Sequence, residues 1–270
     1  MLIYSFDALM KSKGFIMKMK QTLALLACTF LLFGCGGGGG SPAAVDPPAP
    51  PPPPPPVATN PGGIWEGTYT AAGTVVNLAG VFTETGEGRF FDDMGAQYVV
   101  TDVSGNDGNV TMNVTAFAPF GFVFLDGSTV TTGTIDGTVV ERVSIEGDYS
   151  LATGETGTIS LTYNALYDRD SSLAKLTGMW SETNGIVTVD PDGSFFEQDS
   201  FGCVADGQAS IIDPAYNVYA LTMTVSLCGA GVDGQYAGLG ILADFNVTDD
   251  LFILQMNSDT RIITMSLLRL

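Results

Sequence analysis

The sequence contains no histidine and few basic residues. Its 270 residues include ten lysines and arginines against 29 aspartates and glutamates, and the formal net charge is −19. Without histidine, Ser-His-Asp and Cys-His catalysis are excluded, as are zinc, copper and iron sites with histidine ligands. Because so acidic a surface repels phosphate backbones, we expect no binding to nucleic acid.

The short motifs of common enzyme classes are missing as well. The chain has no Gly-x-Ser-x-Gly elbow, no phosphate-binding P-loop and no Gly-x-Gly-x-x-Gly that opens a helix. Carboxylates are so numerous that no pair is distinguished as a catalytic acid and base. We therefore expect no catalytic residue, no cofactor and no metal site. A glycan hydrolase that uses two carboxylates is kept as the enzymatic alternative.

The chain has no long hydrophobic run. The most apolar stretch, Leu23–Gly34, covers about a dozen residues, whereas a helix that spans a membrane needs about 20. It follows a segment with two lysines and precedes Cys35, which is the order of a secretory signal. Residues 1–34 are therefore predicted to be a signal peptide. Translation is expected to begin at Met17 or Met19, because the preceding residues do not suit a signal.

The four residues Leu32–Cys35 resemble the lipobox of bacterial lipoproteins. In that family the cysteine receives a diacylglycerol, the signal is cut before it, and its new amino group is acylated, for example with palmitate. The resemblance implies that Cys35 anchors the chain to a membrane. Gly36 takes the place of an aspartate that would retain such a protein, which implies sorting to the outer membrane, on its periplasmic face or at the cell surface. The competing box, Leu25–Cys28, leaves too short an apolar segment before it.

A glycine run and a proline run follow Cys35. Gly36–Gly40 predicts a flexible segment, and Pro47–Pro56 predicts an extended polyproline rod that reaches roughly 30 Å at about 3.1 Å per residue. Residues 35–63 are therefore predicted to be a disordered tether between the lipid and a folded body.

The rest of the sequence indicates an all-β protein. Runs of four to ten residues rich in Val, Thr, Ile, Phe and Tyr alternate with Gly, Asp and Asn turns. Thr158–Tyr163 and Ile262–Leu268, for example, alternate apolar and polar residues with a period of two. No window shows the pattern of a long amphipathic helix.

This β region repeats itself. The similar segments, in the same order, are Gly63–Tyr69 and Gly178–Asn184, Glu87–Asp93 and Asp192–Gln198, and Ile135–Val139 and Val232–Tyr236. We therefore predict two antiparallel lobes, residues 64–168 and 174–270, each with room for about eight short strands. Eight strands can close a barrel, which is either filled by side chains or holds one small ligand. A β-sandwich is the alternative.

The Gly-x-Trp openings of the two lobes, at Trp65 and Trp180, resemble the first strand of lipocalin-like barrels. The tandem plan resembles the two-lobed surface lipoproteins of Gram-negative bacteria. The resemblance implies that each tryptophan plugs one end of its barrel and that a basic residue of the last strand packs on it. Arg261 is the candidate in the second lobe, and Arg142 or Arg169 in the first. The alternative is that the tryptophans stack on a ligand.

Two cysteines lie in the β region, Cys203 and Cys228. In an oxidising compartment an even pair indicates a structural disulfide. The alternating segments around them are predicted to pair about a turn at Asp213–Asn217. That register sets Cys203 opposite Leu227, and a bulge would bring Cys228 within reach. A closed loop of this length is expected to stabilise the fold by about 3 kcal/mol.

The most aromatic stretch, Phe117–Gly127, has no counterpart in the second lobe. It contains four phenylalanines: Phe117, Phe120, Phe122 and Phe124. The functional interpretation is an apolar flap that contacts a ligand, a protein partner or a membrane. The alternative is burial, either as a strand pair or between the lobes.

These observations together predict a lipoprotein of the outer membrane with a non-enzymatic binding role in the cell envelope. The expected partner is either an apolar small molecule inside a lobe or an envelope protein at the flap. The alternative is a structural or assembly lipoprotein in which both lobes are filled.

Overall fold

The structure, a computed structural model, describes residues 58–182, 185–229 and 231–270. In this part of the chain, two closed antiparallel barrels of eight strands each follow one another. The predicted all-β fold with two lobes of eight strands is confirmed, and the sandwich alternative is wrong. The predicted signal peptide, Cys35 and the tether up to residue 57 lie outside the described residues.

The first barrel consists of strands β1 to β8. They are β1 (Gly63–Ala71), β2 (Thr74–Phe82), β3 (Gly88–Asp92), β4 (Gln97–Asn106), β5 (Asn109–Phe117), β6 (Val130–Val140), β7 (Ser144–Leu151) and β8 (Thr156–Asn164). Each strand pairs with the next, and β1 also pairs with β8, with Trp65 opposite Tyr163. Closure leaves neither terminal strand with an exposed edge.

Two short helical segments lead into the second barrel. They are a 3-10 helix, Ala165–Asp168, and the single-turn helix α1, Leu173–Leu176. The second barrel contains β9 (Gly178–Ser181), β10 (Ile186–Val189), β11 (Ser194–Gln198), β12 (Val204–Ile211), β13 (Tyr219–Ser226), β14 (Gly234–Ala243), β15 (Leu251–Asn257) and β16 (Ile262–Arg269). Within the described ranges, no helix combines the length and the apolar character needed to cross a membrane.

The repeated segments lie on equivalent strands of the two barrels. The first pair lies at β1 and β9, the second at β3 and β11, and the third at β6 and β14, always eight strands apart. The alternation of side chains is equally regular: on β5, Val110, Met112 and Val114 are buried and the residues between them are exposed. Apolar side chains therefore face the interior of each barrel, while polar side chains face outward.

Trp65 and Trp180 occupy the same place in the two barrels. Both are completely buried. Each indole Nε1 donates a hydrogen bond to the backbone carbonyl four residues earlier, at 2.8 Å to Pro61 and 2.7 Å to Leu176. Both tryptophans thus lie in the core at the start of the first strand, and their polar atom is satisfied by the chain that precedes it.

The basic residue that packs on Trp180 is Arg269, with its guanidinium carbon 4.2 Å from the ring centroid. The sequence prediction of Arg261 is therefore wrong. The reason is topological: β16 runs antiparallel to β9, so the residue paired with Trp180 lies at the end of β16, and Arg261 precedes that strand. In the first barrel Trp65 instead meets the ring of Tyr163 edge-on, with centroids 5.5 Å apart.

The two arginines proposed for the first lobe pair with other groups. The Arg142 guanidinium forms an ion pair with Asp168 and lies 5.0 Å from the ring centroid of Tyr216. Arg169 makes two hydrogen bonds, of 2.6 and 2.7 Å, to the carboxylate of Asp244. Arg142 therefore binds the segment between the barrels from the first barrel, and Arg169 binds that segment to the second barrel.

The predicted disulfide is present between Cys203 and Cys228, whose Cα atoms are 4.4 Å apart. Val204 pairs with Ser226, so continuing the register places Cys203 opposite Leu227, as the sequence predicted. Leu227 has a φ of +62°, and this left-handed turn redirects the chain so that Cys228 reaches Cys203.

The outer faces of the barrels meet in a buried interface. Ile64 and Val81 from the first barrel pack with Tyr167 of the connecting segment and with Val218 and Leu239 of the second barrel. Nearly every side chain of β15 is buried, because alternate residues fill the second barrel and the others face this interface. The two barrels therefore form one packed unit.

Candidate ligand-binding site

The first barrel encloses a large cavity, whereas the second barrel is nearly filled. The cavity volume is about 630 Å³ in the first barrel and about 20 Å³ in the second. Small-molecule sites in proteins typically have volumes of about 300–1,000 Å³. A space too small for more than one water cannot hold such a ligand. The candidate site therefore lies in the first barrel.

The difference in cavity volume between the two barrels follows from the side chains that point into each interior. Strand β15 sends Phe252, Leu254 and Met256 into the second barrel, and helix α1 adds Leu176. The equivalent strand of the first barrel, β7, contains Gly147 within its inward row, so one position adds no side chain. Since a core reaches full density only when large residues occupy the inward positions, the first barrel is left hollow.

The cavity reaches the surface at the end of the barrel opposite Trp65. Its lining includes Ala72 of the β1–β2 turn, Met94 of the β3–β4 turn, Phe122 of the β5–β6 connection and Gly154 of the β7–β8 turn. Strand β1 runs from the tryptophan plug toward this end. One end of the first barrel is thus plugged, and four chain connections surround the other.

The predicted flap forms the longest of these connections. Phe117 is the last residue of β5 and is buried, whereas Phe120 is 86% exposed and Phe122 is 67% exposed. Phe122 and Phe124 line the cavity, and Phe120 does not. Phe117 therefore lies in the core, Phe122 and Phe124 lie at the mouth of the cavity, and Phe120 faces solvent.

Two tight turns give the flap its shape. The amide of Phe122 donates to the carbonyl of Pro119 at 2.9 Å, and the amide of Gly127 donates to the carbonyl of Phe124 at 2.9 Å. Gly121, in the first turn, has a φ of +83°, which side chains other than glycine rarely adopt. This geometry directs Phe120 outward and returns Phe122 to the mouth.

A buried polar cluster lies on the wall of the cavity near its mouth. Asp92 is 2% exposed, and its Oδ2 accepts hydrogen bonds from the hydroxyls of Tyr69 at 2.7 Å and of Tyr98 at 2.8 Å. The two hydroxyls are 3.1 Å apart. The other carboxylate oxygen accepts from the backbone amides of Met94 and Ala96. All these groups line the cavity.

Burial raises the pKa values of all three ionisable groups in this cluster. It raises the pKa of Asp92, while the four hydrogen bonds to its carboxylate act in the opposite direction. Burial, together with the nearby Asp92 charge, raises the pKa of Tyr69 and of Tyr98 above the usual range. Both tyrosines therefore keep their protons at neutral pH, and both can donate to Asp92.

Trp65 and Trp180, the other candidate ligand contacts, do not line a cavity. Both rings are enclosed in the core, and neither belongs to the walls of the two cavities. In the part of the chain that the structure describes, no group of three or more His, Cys, Asp or Glu side chains is arranged to hold a metal.

Sequence reasoning did not identify Tyr69, Asp92 or Tyr98. These residues lie on β1, β3 and β4, and each looks like an ordinary strand residue in the sequence. The available signal was Asp92 itself, an acidic residue that ends a strand directly after two phenylalanines. Only the closed barrel brings the three side chains into contact.

No protein-family model matches this chain, and no curated protein and no solved structure matches it. The cavity and the residues that surround it are therefore the features that indicate a function.

Proposed function

We propose that the first barrel binds an apolar small molecule in its cavity and that the protein is a non-enzymatic binding lipoprotein of the cell envelope. The observation that supports this most strongly is the contrast between the barrels. They share strand number, order and tryptophan plug, yet one is filled and the other contains about 630 Å³ of space. Since packing favours filled interiors, a hollow barrel beside a filled one points to a ligand.

The walls of this cavity suit an apolar ligand. Val100, Met112, Val114, Ile145 and Leu161 line its inner part. A ligand that covers these side chains gains about 25 cal/mol for each Å² of apolar surface removed from water. Because a closed barrel is rigid before binding, little conformational entropy is lost when the ligand enters.

The flap supports a route for the ligand. Val123 and Leu125 are exposed and also line the cavity, so a continuous apolar surface leads from solvent to the interior. Exposed apolar side chains that border a cavity are typical of a binding site. In this proposal Phe122 and Phe124 cover the mouth, and small movements of the flap admit the ligand.

The N-terminal prediction gives the site a location. A lipid on Cys35 anchors the chain to the outer membrane, and the Gly/Pro tether holds the barrels at a distance from the bilayer. The carrier would then exchange its ligand in the periplasm or at the cell surface, near the membrane.

Native mass spectrometry of the purified full chain tests the proposal. We expect an additional non-covalent mass that is released on collisional activation, or uptake of an added neutral probe such as N-phenyl-1-naphthylamine. Val114→Phe places a ring in the cavity and should weaken both signals. Asn113→Phe, on the exposed face of the same strand, is the matched control and should retain them. If the wild type carries no extra mass and takes up no probe, the proposal is wrong, and the alternative of an assembly lipoprotein gains support.

A further inference from the structure

We propose that the cavity selects an apolar molecule whose polar end donates hydrogen bonds, such as a long-chain alcohol or amine, and that it discriminates against anionic amphiphiles such as fatty acids. This inference rests on the proposed function, because it concerns the ligand of the same cavity. It follows from the hydrogen-bonding state of three tyrosines and from the charges of the lining.

The hydroxyl protons of the cavity tyrosines are already used within the protein. Tyr69 and Tyr98 donate to Asp92, and Tyr149 donates to the backbone carbonyl of Thr70 at 3.1 Å. A phenolic hydroxyl has one proton to donate and further capacity to accept. The three hydroxyls can therefore offer a ligand only acceptor positions, and a ligand that bonds to them must supply the donor.

Asp92 holds the hydroxyls of Tyr69 and Tyr98 in the orientation in which they can only accept a hydrogen bond from a ligand. Both of its oxygens have two protein donors each, from Tyr69 and Tyr98 on one side and from Met94 and Ala96 on the other. The carboxylate cannot rotate away from these donors without leaving several of them unpaired, which is costly in a buried place. Asp92 is thus a positioning residue that orients the tyrosine hydroxyls as acceptors.

The charges around the cavity also favour a ligand with a hydrogen-bond donor over an anionic ligand. Among the described residues that line it, the carboxylates are Asp92 and Glu155, and none is lysine or arginine. An anionic head group would enter next to these carboxylates without a counterion, and burial of an unpaired charge is strongly unfavourable. A neutral donor meets no such penalty, and a cationic donor is attracted to Asp92.

The position of the cluster sets the orientation of the ligand. Asp92 ends β3, Tyr98 is the second residue of β4, and Tyr69 lies near the end of β1, so all three are near the mouth. The inner part, toward Trp65, is apolar. An elongated amphiphile would therefore place its chain in the barrel and its head group near the tyrosines.

A competition series with one chain length tests this inference. The purified full chain is loaded with N-phenyl-1-naphthylamine and titrated at pH 7.5 with dodecanol, dodecylamine, methyl dodecanoate and dodecanoic acid. Because a net hydrogen bond contributes about 0.5–1.5 kcal/mol, dodecanol and dodecylamine should bind about 3–10 times more tightly than the ester. The acid should bind more weakly than the ester.

Tyrosine variants connect the preference to the cluster. Tyr69→Phe/Asp92→Asn/Tyr98→Phe removes two of the three acceptor hydroxyls together with the carboxylate that they would otherwise leave unpaired. The preference for the alcohol over the ester should then be lost, while the ester still binds. Retention of ester binding shows that the variant is folded. Tyr163→Phe is the matched control, because its hydroxyl bonds Asp168 outside the cavity at 2.8 Å, and it should keep the preference.

The outcomes separate this inference from the proposed function. If neither the probe nor any of the four compounds binds, the proposed function fails. If the ester and the acid bind as tightly as the alcohol and the amine, the cavity is a binding site but the inference about its head group is overturned. A preference for the acid would overturn it equally.

Discussion

The side-chain amide of Gln255, in the second barrel, donates a hydrogen bond of 3.0 Å to the backbone carbonyl of Phe90, in the first. The same nitrogen lies 3.1 Å from the side-chain oxygen of Gln97, also in the first barrel. Gln255 is 4% exposed, so these bonds form within the apolar interface. Phe90 also lines the cavity, and the filled barrel is therefore bonded directly to the wall of the hollow one.

The first prediction concerns this connection. Gln255→Ala removes the donor and leaves its acceptors in the interface, so the free energy of unfolding should fall by about 1–3 kcal/mol. Urea unfolding followed by circular dichroism measures the change. Gln198→Ala, on the exposed face of β11, is the matched control and should change stability by less than about 0.5 kcal/mol. Equal stability of the two variants would contradict the structural role of Gln255.

The second prediction concerns the disulfide. Replacing Cys203 and Cys228 together by Ser should lower the free energy of unfolding by about 3 kcal/mol, because the unfolded chain regains the freedom of a closed loop. Dithiothreitol should destabilise the wild type by a similar amount and leave the double variant unchanged. If the reductant has the same effect on both proteins, the bridge does not contribute to stability.

The third prediction compares the two interiors. Val114→Phe places a larger ring in the hollow barrel and should change the free energy of unfolding by less than about 1 kcal/mol. Val189→Phe makes the same change next to the cavity of about 20 Å³ in the second barrel, and overpacking should cost about 1–3 kcal/mol. Thermal unfolding of both variants gives the comparison. The first barrel would not be hollow in solution if Val114→Phe proved the more destabilising change.

The fourth prediction concerns Glu197, an inward residue of the second barrel. Burial, and then the nearby Glu182 and Asp199, raise its pKa from 4.5 to about 7. The fold thus prefers the neutral carboxyl, so its contribution to stability is complete below pH 4.5 and is lost as the pH rises toward 7. Glu197→Gln stays neutral and should be more stable than the wild type at pH 8 by about 1–2 kcal/mol, with allowance for solvent screening.

The pH profile of that variant provides its own test. At pH 4.5 the wild type and Glu197→Gln should have similar free energies of unfolding, and the difference should grow up to pH 8. Asp206→Asn, an exposed carboxyl on the neighbouring β12, serves as the control and should show no such growth. A constant difference across this range would mean that Glu197 does not titrate there.

The fifth prediction concerns the lipid anchor. In a Gram-negative host, an alkyne analogue of palmitate should label the full chain, and the label should be lost in Cys35→Ser. Cys28→Ser removes the cysteine of the competing box and should keep the label. Loss of label in Cys28→Ser with retention in Cys35→Ser would move the anchor to Cys28.

Several local features of the fold were predictable because they depend on neighbouring residues. The alternating segments around Cys203 and Cys228 predicted the register of β12 with β13 and hence the disulfide. The residue that packs on Trp180 was missed, because Arg269 meets it through the closure of β16 onto β9. A contact between the first and last strands depends on where both strands begin and end.

The candidate site was only partly predictable for the same reason. The sequence distinguished the flap as unusual, but it did not show that Phe122 and Phe124 line a cavity or that Phe120 faces solvent. Tyr69 and Tyr98 meet Asp92 across three strands, and no local pattern connects them. Their acceptor polarity depends on hydrogen bonds that exist only in the closed barrel.

The sequence by itself determined the strand pattern, the two lobes and the pairing of the cysteines, because a period of two and short turns are properties of adjacent residues. The tertiary structure decided which barrel is hollow. Free space inside a barrel depends on the summed volumes of inward side chains from eight strands and on what caps each end. Whether Gly147 leaves space in one barrel, and whether Phe252 fills space in the other, depends on the side chains that face them.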